Sequence, residues 1–223
     1  MVKRLLSVAT VAAAVSMAGA ATAADLIVDA PVEAVTASEP GDWYVSLFAG
    51  GVWAPGLEGD YYDNTYDIDT DTGYMLGVAV GTKVFDALRV ELELSGGSSG
   101  INEVSDPDDV WADFDGSVST LYLLGNLWYD LDVGGGITPY VGGGVGLGHA
   151  NIDFTDWNWE VSGTGLAFQI GAGVQFEIAS GIALDLGYRY KAMPGLTLED
   201  EDDEPLDVNI GSHVVQAGLT FSF

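Results

Sequence analysis

From Trp43 to the last residue, apolar and polar positions alternate with a period of two. Successive side chains of a strand point to opposite faces, so this period predicts strands with one apolar face each. Eight such runs can be read: Trp43–Trp53, Gly73–Val84, Leu88–Gly97, Ser117–Asp130, Thr138–Ala150, Gly165–Ile178, Ile182–Ala192, and a last one from about Asn209 to Phe223. The third is the cleanest, with Leu88, Val90, Leu92 and Leu94 set against Arg89, Glu91, Glu93 and Ser95. Each run is near the roughly 9–11 residues that a tilted strand needs to cross a membrane. The last run ends in mid-alternation, on Phe221-Ser222-Phe223, with no tail. A strand that closes a ring by pairing with the first strand needs nothing after it.

The connections sharpen this picture. Between runs two and three lies Phe85-Asp86-Ala87, and between six and seven Ala179-Ser180-Gly181. LDVGGGI joins four to five. The other four segments, 54–72, 98–116, 151–164 and 193–208, are long and acidic. Short turns at one end and long loops at the other characterise outer-membrane barrels, with the turns periplasmic. The fold expected is an all-β, eight-stranded, antiparallel, up-and-down transmembrane β-barrel over 42–223, with short periplasmic turns and long acidic extracellular loops. Eight strands leave an interior just wide enough for side chains. Glycine, 31 of 223 residues, crowds the inward parity in places, as at Gly142, Gly144, Gly146 and Gly148, and makes room for bulky groups opposite. Aromatics gather near strand ends, among them Trp43, Trp53, Tyr74, Tyr129, Tyr190 and Phe221, as in interfacial girdles.

The N-terminus sets the compartment. Lys3 and Arg4 precede an apolar stretch, Leu5 to Met17, and Ala21-Thr22-Ala23 follows. This is the anatomy of a cleaved secretory signal peptide, 1–23. A membrane anchor is the other reading, but the run is short of the roughly 20 apolar residues a spanning helix needs. Residues 24–41, with two prolines and little period, read as a flexible lead. The chain has no cysteine, so packing and strand pairing must stabilise it. After residue 23, four cations (Lys83, Arg89, Arg189, Lys191) stand against 34 acids, a formal charge of −30. Nucleic acid is excluded as a partner by phosphate repulsion. Yet mean hydropathy is +0.24, so apolar and acidic residues must be segregated in space.

Several stretches carry a family resemblance: the Ala-Thr-Ala-Ala-Asp junction, Asp42-Trp43-Tyr44, Asn126-Leu-Trp-Tyr-Asp130, Thr138-Pro-Tyr-Val-Gly-Gly-Gly, Gly187-Tyr-Arg-Tyr190 and the Phe end. Together they resemble the small eight-stranded outer-membrane barrels related to OmpA and OmpX, in the style of alphaproteobacterial opacity-type proteins. The resemblance implies the outer membrane of a Gram-negative bacterium as location. It implies outer-membrane lipid and lipopolysaccharide as surroundings, and Phe223 as a targeting signal read by the outer-membrane assembly machinery. Members are described as envelope stabilisers, adhesins, serum-resistance factors or, loosely, porins, and share no single activity.

Candidate chemistry is sparse. The four cations fall on inward parity together with Glu91, Glu93, Glu177 and Asp185, so these eight residues form a candidate lumen charge network. Charges in a dry lumen should pair. A gate and a plain structural network both fit. Asp67, Asp69 and Asp71 are spaced like the start of a calcium loop, without the glycine and glutamate that complete it. With Asp200, Asp202 and Asp203 they are the weak candidates for loop-bound Ca²⁺ or Mg²⁺; no other cofactor is expected. The alternative is a solvated acidic surface. His149 and His213, the only histidines, fall on outward parity, and Ser212 points away from His213, so no nucleophile–base pair forms. The loop aromatics Tyr61, Tyr62, Tyr66, Trp111, Phe114, Trp157 and Trp159 fit either an extracellular ligand or packing between loops. The expected function is a non-enzymatic structural or surface-interaction barrel, with a narrow channel as alternative and a lipid-A-modifying enzyme as a distant third.

Overall fold

A computed structural model describes residues 42–54, 57–61, 64–105, 110–155, 159–199 and 206–223. The signal and lead lie outside the described residues. Among the described residues there are ten strands: β1 Trp43–Trp53, β2 Leu57–Tyr61, β3 Asn64–Thr70, β4 Gly73–Phe85, β5 Leu88–Ser105, β6 Val110–Asp130, β7 Ile137–Phe154, β8 Trp159–Ala179, β9 Ile182–Leu198 and β10 Leu206–Ser222. All pairings are antiparallel and no α-helix occurs among the described residues.

Eight of these strands close a ring, β1-β4-β5-β6-β7-β8-β9-β10. The closing seam runs from Tyr44↔Ser222 to Trp53↔His213, so the terminal strand does pair with the first. β2 and β3 do not widen the ring. β2 pairs β10 above the end of β1, through Asp60↔Asp207, and β3 pairs β5 above β4, through Asp67↔Ser105. The wall therefore continues upward in the same eight columns.

This corrects where the loops begin. Segments 98–116 and 151–164 are mostly strand, and β6 and β8 are each 21 residues long. At about 3.3 Å per residue each spans roughly 70 Å of contour, about twice what the bilayer requires. Their outer halves persist because they carry β-forming residues whose inward positions are apolar and bury one another. Ile101, Val118, Ile152, Phe154, Val161, Leu196, Leu198, Val208 and Ile210 form one buried cluster.

The two halves of the barrel are inverted with respect to each other. In the inner half the outward parity is apolar and uncovered: Leu47, Leu76, Leu92, Leu123, Val145, Ile170 and Val215 are all exposed. The lumen of that half is polar. In the outer half the lumen is apolar, and outward positions carry Asp115, Glu160, Glu199 and Asp207, all exposed. A lipid solvent selects the first arrangement and water the second. The segregation that charge and hydropathy demand is thus vertical as well as face-to-face.

Two glycines show why the backbone needs them. Gly181, at φ 72°, makes the β8–β9 turn and accepts the Ser222 amide at 2.8 Å. Gly195, at φ 58°, sits in a bulge of β9, where its amide donates to Asn209 Oδ1 at 2.9 Å and the register against β10 shifts.

Candidate functional site

The inward parity of β5 places Arg89, Glu91, Glu93 and Ser95 in a row, and that of β9 places Asp185, Arg189 and Lys191 opposite. Lys191 is wholly buried and Glu93 is 3% exposed. Lys191 Nζ donates to Glu93 Oε1 at 2.5 Å and to Ser95 Oγ at 3.1 Å, and lies 5.1 Å from the Tyr122 ring centre. Three neutral groups also donate to Glu93: Ser95 Oγ (2.7 Å), Asn126 Nδ2 (3.0 Å) and Gln169 Nε2 (2.7 Å).

A second layer lies nearer the periplasm. Arg89 Nε donates to Asp130 at 2.8 Å, and its guanidinium lies between the rings of Tyr44 and Tyr140, 5.3 and 5.2 Å from their centres. Glu91 is reached by Arg89 through the Tyr44 hydroxyl, to which Arg89 Nη1 donates at 3.3 Å. Glu91 accepts from Tyr44 OH (2.9 Å), Asn126 Nδ2 (3.0 Å) and Trp128 Nε1 (3.0 Å). Arg189 stacks on Trp128 at 4.2 Å and donates to Tyr140 OH at 2.8 Å, which in turn donates to Asp185 at 2.8 Å. Gly173 and Gly187 flank the Tyr140 hydroxyl, and a Cβ at Gly173 would collide with the ring. Between the two layers is a cavity of about 20 Å³, bounded by Arg89, Glu91, Glu93, Asp185, Arg189 and Gln216.

Six of the eight expected network residues therefore meet in the lumen. Lys83 and Glu177 do not: both are exposed at the periplasmic mouth, where the inward face ends in water and leaves no desolvation to offset. The parity pattern gives the face a residue points to but not its height. Asp130 was not among the expected residues although it holds Arg89. It is the final residue of β6, at inward parity, and closes the fourth run that the sequence shows. Asn126, Gln169, Tyr44 and Tyr140 carry no charge, so a count of charges passes over them.

Above these layers the lumen is filled by Met75, Tyr122, Leu124, Met193 and Val214, at most 1% exposed, and then by the outer apolar cluster. Met193 Sδ lies over Gly148, where a Cβ has no room.

Of the metal candidates, Asp69 and Asp71 are exposed. The Asp67 side chain and all of Asp200, Asp202 and Asp203 lie outside the described residues, as do the side chains of Tyr61, Tyr62, Tyr66, Trp111, Phe114 and Trp157. Among the described residues no three acids or histidines converge on one point. Trp159 stacks on Phe154 at 5.1 Å and is part of the packing.

The outward face carries a polar collar where the apolar belt ends. His149 Nδ1 and Thr164 Oγ1 are hydrogen-bonded at 2.9 Å, and Ser119 Oγ donates to Ser98 Oγ at 3.2 Å. On β9, β10 and β1 the collar is aromatic. His213 is hydrogen-bonded through Nδ1 to the Tyr188 hydroxyl at 2.6 Å, stacks on Trp53 at 5.9 Å, and has Tyr190 at 5.2 Å.

Residues 10–223 match the outer-membrane protein β-barrel domain family. The chain belongs to this family. The chain is 27% identical to an uncharacterised protein of Brucella abortus, over 94% of this chain and 95% of the relative. Its fold is similar to that of OprG from Pseudomonas aeruginosa, at 14% identity and a TM-score of 0.56, covering 81% of this chain and 96% of OprG. It is also similar to Neisserial surface protein A, at 17% identity and a TM-score of 0.52, covering 82% and 97%. An outer-membrane location follows from family and fold together, and accounts for the apolar belt.

Proposed function

We propose that this barrel is a non-enzymatic structural and surface-presenting protein of the bacterial outer membrane, with a lumen closed to ions. One observation carries the reading: the lumen is filled at successive heights by the Arg89–Asp130 layer, the Lys191–Glu93 layer and an apolar core. An ion crossing it would have to break a buried ion pair and then enter a dry apolar column, each step costing at least several kcal/mol. The long outer extension then serves to hold its rim clear of the lipid surface. His149 and His213 are engaged by Thr164 and by Tyr188 on the outward face of the wall, away from the lumen.

Single-channel recording of the refolded protein in a planar bilayer tests this. The expected trace is silent. A steady conductance altered by Lys191→Ala or Arg189→Ala would overturn the reading in favour of a narrow channel.

A further inference from the structure

After residue 4 the chain has only four lysines and arginines. Arg89, Arg189 and Lys191 are buried in the lumen, and Lys83 shares their face at the periplasmic mouth. The outward wall, from lipid belt to outer rim, therefore presents no permanent cation. A barrel so built has nothing with which to form direct ion pairs to headgroup phosphates, and its outward acids repel them. What it offers at headgroup height is the aromatic side of the collar.

That side has a defined construction. Register places Tyr190, His213 and Trp53 side by side on β9, β10 and β1. Trp53 (40% exposed) and Tyr188 (42%) keep ring surface uncovered. Gly211, outward on β10, leaves the room that the Tyr190 hydroxyl occupies: a Cβ there would stand 2.7 Å from it. The Tyr188 bond fixes the His213 ring, whose Nε2 makes no hydrogen bond to the described residues and is free to engage a ligand. Flat ring surface beside a fixed hydrogen-bonding group suits the apolar face and hydroxyls of a pyranose. The cluster adjoins the lipid belt: on β10, exposed Val215 follows His213 two residues toward the membrane.

We propose that the Trp53–Tyr188–Tyr190–His213 cluster binds the sugar of an outer-leaflet glycolipid by stacking and hydrogen bonds, without recourse to its phosphates. The inference needs only that the barrel sits in the outer membrane. A conducting lumen would sink the functional reading above and leave this one standing.

The test is native mass spectrometry of the full barrel released from micelles. The micelles are doped with equal amounts of an acylated glucosamine disaccharide, the same lipid carrying its phosphates, and phosphatidylethanolamine. Both glycolipids should be retained to within about twofold of each other, with or without EDTA, and about fivefold over phosphatidylethanolamine, the scale of one or two good aromatic contacts. Trp53→Leu and His213→Gln should each lower glycolipid retention about threefold or more and leave phosphatidylethanolamine unchanged. Heat-modifiable gel migration confirms that each variant is folded, and the polar exchange at His213 carries the test if Trp53→Leu does not fold. Equal retention of all three lipids would reduce the cluster to an ordinary interfacial girdle. Retention confined to the phosphorylated form, and lost in EDTA, would replace the sugar with a cation-bridged phosphate. Either result overturns the proposal.

Discussion

Replacing Lys191 by methionine removes the cation that neutralises Glu93 and keeps most of the side-chain volume. Both residues are almost fully out of water, so the carboxylate would be left in the lumen without a counter-charge. Stranding one member of a buried pair costs about 3–5 kcal/mol. The structure places the loss at the lower end, about 3 kcal/mol, because Ser95, Asn126 and Gln169 still donate to Glu93, and hydrogen bonds to a charged group retain roughly 1.5–3 kcal/mol each. Adding Glu93→Gln removes the stranded charge and should restore at least half of the loss. Reversible urea unfolding of the barrel in liposomes, followed by tryptophan fluorescence, measures both. A Lys191→Met variant within about 1 kcal/mol of wild type would refute the reasoning. So would a double variant no more stable than the single one, since the damage would then lie in packing and not in charge.

Three further outcomes follow from the inverted halves and the parity. Leu124→Ala, at a fully buried lumen position, should destabilise by about 2–5 kcal/mol, whereas exposed Leu123→Ala one residue away should cost far less, both read by the same unfolding assay. Leu123→Arg, on the lipid face, should cost roughly 2–4 kcal/mol in liposomes, and a neutral result there would place that wall in water. In hydrogen exchange, the amides of Ile152 and Val161 should be protected as well as those in the lipid belt, since a dry core lies behind them; exchange within seconds would show the outer extension to be open.

The strand pattern alone determined the architecture, because period two and the lengths of the connections admit few alternatives once lipid is the solvent. Leu92 and Leu94 could face outward, and Glu91 and Glu93 inward, on no evidence beyond their spacing. Parity likewise put Arg189 and Lys191 in the lumen. Height along the barrel was decided only by the tertiary structure. Lys83 and Glu177 share the inward parity, yet they stand in water, because the register against neighbouring strands sets them at the mouth. The same register brings Asp130 to Arg89 across 41 residues of chain and makes Gln169 a partner of Glu93 across 76. Acidic stretches such as 151–164 look like loops because their charges dominate the local composition. They form strands because Ile152, Phe154 and Val161 find apolar partners on β9 and β10 that no local window contains. A side chain's face is a property of the strand it belongs to, whereas its solvent is a property of the ring that the eight columns close together.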